Sequence, residues 1–93
     1  MGVAYGSDVD RVCEILLETG RAHEEVCSDP EPRVRMLGFG PSSLDFDLLV
    51  WIEEPEFRGR ILHDIYMQLY KKMNAEGIEI PFSKQDVYIK EMP

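Results

Sequence analysis

Lysine and arginine are scarce in this 93-residue sequence, which has 10 of them against 18 aspartates and glutamates and a net charge of −8. A nucleic-acid surface needs a basic patch that neutralises phosphates, so this balance argues against nucleic acid as a partner. It also disfavours docking on an anionic membrane surface. The acidic surplus is most simply explained as a source of solubility.

Long apolar runs are missing as well. No stretch of the sequence approaches the roughly 20 apolar residues that cross a bilayer, and residues 1–6 lack the basic region and apolar core of a signal peptide. Hydrophobic residues make up 44% and charged residues 30%, which is typical of a folded domain with one core. We therefore expect residues 1–93 to form a single domain that is itself soluble. Both ends are strand-like, which indicates a domain cut from a larger protein.

Residues with reactive side chains are few and are not grouped at informative spacings. Cys13 and Cys27 form no CxxC motif and are too few for a disulfide scaffold, which favours a reducing compartment. His23 and His63 have no cysteine or carboxylate at ligand spacing, so no metal is predicted. The Gly38-Phe-Gly40 motif precedes a proline and a strand, whereas a phosphate cradle needs a helix N-terminus behind its glycines. The sequence predicts no catalytic residue and no cofactor.

The stretch from Ser43 to Ile52 is the most apolar part of the chain, and the rest is organised around it. Its apolar residues recur at every second position, the period of a strand with one buried face. These residues are Leu44, Phe46, Leu48, Val50 and Ile52. Such a strand needs neighbours on both edges and helices over its buried face.

The flanking sequence predicts those neighbours. Apolar spacing and end signals predict one helix from Ser7 or Asp8 to about Ala22 or Glu25, and a second from Pro55 to Gly77. Three further strands are predicted over Met1–Tyr5, Arg33–Phe39 and Asp86–Lys90. The βαββαβ order predicts an α+β, ferredoxin-like fold: a four-stranded antiparallel sheet with two helices on one face and the first and third strands in the middle.

The other face of the central strand carries two apolar residues, Leu49 and Trp51, which would face away from the helices. Tyr88 of the last strand joins them if its register allows. Open apolar sheet faces mark contact with another chain or domain, so we predict a subunit or domain interface at these three residues. Asp45 and Asp47 share that face, and we predict that they are solvated, since catalysis would need a pocket and further groups.

Four segments together resemble one known family. Residues 3–12 (VAYGSDVDRV) resemble the strand, turn and helix that open the C-terminal cytoplasmic domain of small-conductance mechanosensitive channels. DPEP at 29–32, GPSSLDF at 40–46 with Val50-Trp51, and GIEIPF at 77–82 followed by QDV at 85–87 resemble later parts of that domain, in the same order.

The resemblance implies a role that composition and spacing do not. Members of this family are channels of the prokaryotic inner (plasma) membrane that open under bilayer tension and release solutes during osmotic downshock. Their subunits form a ring, usually a homoheptamer, whose C-terminal domains make a hollow cage on the cytoplasmic side. The implied partners are copies of this chain, the rest of the subunit, and permeating ions and small solutes. Transmembrane and middle β domains would lie outside residues 1–93, and the domain would be non-enzymatic.

Two other functions remain compatible with the fold. One is a ligand-binding regulatory ferredoxin-like domain of a soluble protein, which would hold a metabolite at the sheet face. The other is a small enzyme of the acyl-phosphatase type. That enzyme would need an arginine and an amide side chain converging on an anion, and the only asparagine, Asn74, falls at a predicted helix end.

Overall fold

The computed structural model describes residues 2–40, 44–80 and 86–91. Helices and strands follow one another along the chain in the predicted order, and a short 3-10 turn at Pro55–Phe57 leads into the second helix. The elements are β1 (Gly2–Val3), α1 (Val9–Ala22), β2 (Arg33–Phe39), β3 (Leu44–Ile52), α2 (Arg58–Ala75) and β4 (Asp86–Glu91). The predicted hairpin turn at 41–43, and part of the predicted link before β4, fall outside the described residues.

Strand β3 lies in the middle of the sheet, as predicted. β2 runs antiparallel along one of its edges, with Arg33 opposite Leu49. β1 pairs antiparallel with the beginning of β3, where Val3 stands opposite Leu44. β4 pairs in parallel with the remainder, from Asp47 onward. Because β2 already occupies one edge of β3 at these positions, β1 and β4 share the other edge, and the sheet is mixed and three strands wide.

The predicted α+β class and the two helices are confirmed, but the antiparallel ferredoxin-like order is wrong. β1 is cut short because the Ala4 N–H donates to the carbonyl of Glu79 (2.9 Å) and the chain turns at Gly6, whose φ is +91°. A two-residue strand cannot separate β3 from β4. Helix α2 then acts as the crossover that returns β4 beside β3 in the parallel direction.

One hydrophobic core joins the sheet to both helices. The alternating residues of β3 are all buried, as the period of two predicted. α1 begins at a cap in which the Asp8 carboxylate accepts from the Arg11 N–H, and both helices bury one stripe against the sheet. The core also contains Val3, Val12, Ile15, Leu16, Ile61, Ile65, Leu69, Met73 and Ile89.

Gly20 sets how closely α1 approaches the sheet. A Cβ atom at this position would lie 3.2 Å from the Cβ of Pro32 and 3.3 Å from a methyl carbon of Val50. Both distances are shorter than ordinary van der Waals contact, so the missing side chain is what allows the helix to pack on β3 and the loop before β2.

Candidate assembly surface

The sheet face opposite the helices holds the residues that the sequence predicted as an interface. Leu49 and Trp51 are half-buried there, at alternate positions of β3. In the β3–β4 register Tyr88 stands opposite Leu49, and Lys90 stands opposite Trp51. The side chain of Tyr88 lies outside the described part of the chain. The backbone therefore brings the three predicted positions to neighbouring points of one sheet.

Trp51 is partly covered from within its own chain. The guanidinium carbon of Arg33 lies 5.9 Å from the centroid of the Trp51 ring, a separation at which a cation and an aromatic face attract each other. Arg33 reaches this ring because β2 places it opposite Leu49, and Leu49 is the neighbour of Trp51 on the same face of β3. One part of the indole therefore meets Arg33 while another part stays accessible.

Asp47 differs most from its prediction, because it is buried and not solvated. Only 2% of the residue is exposed. Its Oδ2 atom accepts from the Arg35 guanidinium at 3.1 Å, since β2 places Arg35 directly opposite. Its Oδ1 atom is buried without a hydrogen-bond partner in the described structure. A buried carboxylate is costly unless it is paired, so the Asp47 charge depends on one arginine.

Two arginines on this face were not predicted to belong to it. Arg33 and Arg35 stand at alternate positions of β2, which is a readable signal for one strand face. Their partners depend on the hairpin register, and that register shifts between Met36 and Gly38, where Leu37 is the extra residue of a bulge. The arginine alternation was visible in the sequence, but the pairing with Asp47 and Trp51 was not.

A second exposed apolar surface, which we call the hairpin patch, was also missed. It consists of Tyr5, Met36, Leu37 and Phe39, which are 50%, 44%, 53% and 78% exposed. The rings of Tyr5 and Phe39 are stacked, with centroids 6.5 Å apart and planes 8° from parallel. The Tyr5 hydroxyl donates to the carbonyl of Gly40. The near-continuous apolar run of β2 was the sequence signal for this patch.

An ion-pair cluster centred on Arg11 connects α1 to the end of α2. Its Nε lies 3.0 Å from Glu76 Oε1, and its Nη1 lies 3.0 Å from Glu14 and 3.5 Å from Glu18. The hydrogen bond to Glu76, followed by that to Glu14, raises the pKa of Arg11. The same Arg11 contact lowers the pKa of Glu76. All these groups are ordinary surface ions, and the cluster serves to hold two helix ends together.

The two histidines do not come together. His63 is exposed. His23 accepts from the Glu25 N–H through Nδ1 (3.1 Å), so its Nε2 carries the proton and donates to Asp64 (2.9 Å). Both ring nitrogens of His23 are thus engaged in joining the end of α1 to α2. No group of three potential metal ligands exists in the described ranges.

Both cysteines are free thiols, and burial raises the pKa of each. Burial, with a contribution from the Asp10 charge, raises the pKa of Cys13. Burial and the Glu53 charge raise the pKa of Cys27. Because the thiolate is the nucleophile, neither side chain is activated for chemistry at neutral pH.

An apolar-lined hollow between the two helices is small. It has a volume of about 220 Å³ and lies between α1 and α2, beside Thr19, His23 and Asp64. Ligand pockets for drug-sized molecules usually measure roughly 300–1,000 Å³. Neither helix in the described ranges is both long and apolar enough to cross a membrane. The fold therefore defines a small α+β domain, and in its described ranges three of the exposed large apolar residues, Met36, Leu37 and Phe39, lie on β2.

Comparison with known proteins shows the family. The family described as "Mechanosensitive ion channel MscS, C-terminal" matches residues 1–80. An MscS family protein of Haemophilus influenzae is 33% identical over 90 residues, which cover 97% of this chain and 8% of that protein. The mechanosensitive channel MscK of Escherichia coli is 32% identical over 89 residues, covering 96% of this chain and 8% of MscK.

Shorter relatives match over the same part of the chain. A small-conductance mechanosensitive channel of Helicobacter pylori is 29% identical over 89 residues, which cover 96% of this chain and 32% of that protein. The chain belongs to the MscS family of mechanosensitive ion channels and corresponds to its C-terminal domain. It spans between 8% and about a third of the length of these relatives.

Proposed function

We propose that this chain is a wall of the cytoplasmic cage, or vestibule, of a mechanosensitive channel that releases solutes under osmotic downshock. The family match over residues 1–80 carries the proposal. Relatives whose names describe mechanosensitive channels also align with 96% of the chain. In this role the domain carries out no reaction. It oligomerises and filters solutes on the cytoplasmic side of a prokaryotic inner membrane.

The partners in this proposal are copies of the same chain in a homoheptameric ring, the rest of the channel subunit, and the permeating ions and small solutes. The assembly surface consists of Leu49, Trp51 and Tyr88. Leu49 and Trp51 support it because they are accessible apolar groups on the sheet face that the helices leave open. Arg33 also lies over the Trp51 ring, and this contact lowers the side-chain entropy that Trp51 would lose on meeting a neighbour.

The acidic charge of the domain would favour cations in the vestibule. Asp47 cannot take part, because it is buried against Arg35. Glu53 and Glu54 are exposed at the end of β3, which makes them candidates for this cation preference. Neutralising both (Glu53→Gln and Glu54→Gln) should lower the cation-to-anion permeability ratio of the full-length channel. An unchanged ratio would remove this filter role.

The decisive experiment uses the full-length gene in a bacterial strain that lacks mechanosensitive channels. We expect expression to restore survival after osmotic downshock and to give tension-gated currents in membrane patches. If the full-length protein contains no membrane-crossing segment and gives no current, the proposal is wrong, and a regulatory domain of a soluble protein becomes the better explanation.

The assembly surface has its own test. Trp51→Ala should weaken subunit association in the full-length protein, measured by cross-linking and native mass. It should leave the unfolding of the 93-residue domain nearly unchanged. Tyr70→Ala is the matched control, since Tyr70 is an exposed aromatic residue of α2. If Trp51→Ala instead unfolds the domain, Trp51 belongs to the core and the assembly role is excluded.

A further inference from the structure

The hairpin patch exposes four large apolar side chains that the proposed assembly surface does not include. Phe39 is 78% exposed, and Tyr5 stacks on it. Exposed apolar clusters on soluble faces usually mark a contact with another surface. We infer that in the full-length subunit this patch is covered by the polypeptide that precedes residues 1–93 in the same chain. The inference rests on the proposed function, because it takes the chain to be the C-terminal part of a longer subunit.

The position of the patch favours this occupant. Leu44 at the start of β3 stands opposite Val3 on one edge and opposite Phe39 on the other. Phe39 therefore lies two strands away from β1, where the chain enters the domain, and Tyr5 follows β1 directly. In the relatives, most of the polypeptide lies outside the matched region, and the family description places this domain at the C-terminus. The preceding polypeptide thus joins the domain three residues before Tyr5, the patch residue that follows β1.

The size of the patch also favours a tethered partner over a second copy. At about 200 Å² for each large side chain and the observed exposures, the four side chains offer about 400–500 Å². Separate proteins that associate stably bury roughly 1,200–2,000 Å² in total, or about 800 Å² on each partner. A segment of the same chain is held at an effective concentration of about millimolar, so a contact of this size is enough to keep it in place.

The test measures maleimide labelling of single cysteines in the full-length protein in detergent. The background carries Cys13→Ala and Cys27→Ser and replaces every cysteine outside these 93 residues with serine. The probe is Leu37→Cys, at the patch. The control is Met67→Cys on α2, because the two native side chains are similarly exposed, at 53% and 45%. We expect the probe to be labelled about tenfold more slowly than the control, as for a site that opens only transiently.

Two further measurements identify what covers the patch. Adding Phe39→Ser should return the probe to the labelling rate of the control, while the rate at the control position stays the same and shows that the fold is intact. The protection should also persist when the oligomer is dissociated into subunits. Protection that disappears on dissociation would mean that a neighbouring copy covers the patch, and equal labelling of probe and control would mean that nothing does. Either result overturns the inference. Protection in a protein without channel activity supports the contact and contradicts the proposed function instead.

Discussion

The ion pair between Arg35 and Asp47 should respond very differently to the loss of each partner. The Asp47 carboxylate is buried, with one oxygen paired and the other without a partner in the described structure. The side chain of Arg35 is 59% exposed. Removing the arginine leaves a buried carboxylate charge without a partner, whereas removing the aspartate frees a guanidinium that water already solvates.

The magnitudes follow from this asymmetry. Arg35→Thr removes a charge-assisted hydrogen bond worth about 1.5–3 kcal/mol when buried, and solvent screening of the exposed arginine reduces this. Since the carboxylate then has no partner at either oxygen, we expect a net loss of about 2 kcal/mol. Asp47→Val loses the same bond but also removes the buried charge and adds a side chain suited to a strand, so we expect a change of less than about 1 kcal/mol.

Urea unfolding of the two single variants and the double variant, followed by circular dichroism, measures these differences. With a slope of about 1 kcal/mol per molar urea for a small domain, Arg35→Thr should lower the midpoint by about 2 M. The double variant should resemble Asp47→Val, which gives a coupling energy of about 2 kcal/mol. If Asp47→Val destabilises the domain as much as Arg35→Thr, the carboxylate is fully satisfied and the reasoning from its unpaired oxygen is refuted.

Two further substitutions test the packing of α1 and the cluster at its N-terminal end. Gly20→Ala gains about 1 kcal/mol of helix propensity but overpacks a tight contact at a cost of about 1–3 kcal/mol, so the melting temperature of this variant should fall. Gly59→Ala is the control, because a Cβ there would have open space, and its melting temperature should rise. A rise in both variants would contradict the close contact at Gly20. Arg11 lowers the pKa of Glu76, so this contribution to stability is present above the unfolded pKa near 4.5 and is lost as the pH falls through the folded value. The difference in urea midpoint between wild type and Glu76→Gln should therefore shrink from pH 7 to pH 3, and a constant difference would show that the ion pair does not contribute.

The parts of the fold that depend on short sequence periods were predictable. The burial of β3 follows from alternation within nine residues, and the buried stripes of the helices follow from spacings of three and four. Local periods do not determine which strands lie side by side in the sheet, because strand pairing depends on residues far away in sequence. The early end of β1 depends on a hydrogen bond from Ala4 to Glu79, a contact across 75 residues. Local pattern could not reveal it, so the strand order was wrong.

Local sequence pattern predicted some features of the candidate site and not others. Alternation alone places Leu49 and Trp51 on the sheet face opposite the core, as the structure has them, while their role as an interface stays a prediction. The burial of Asp47 was not predicted, because a single bulge at Leu37 decides which residue of β2 stands across from it. A one-residue change of register moves every side chain of a strand to the other face. Charged residues in strands are therefore the ones whose environment the sequence predicts least well.

Strand β3 can carry a structural and an assembly role at once because its two faces are independent. Substitutions at its core positions change packing with both helices and hence stability. Under the proposed function, substitutions at Leu49 and Trp51 change the sheet face opposite those helices, so association would vary without loss of the fold. Asp47 is the exception, since it lies on the assembly face yet is as buried as a core residue. Through Arg35 it fixes β2 against β3, and so it couples the shape of the proposed interface to the stability of the hairpin that presents it.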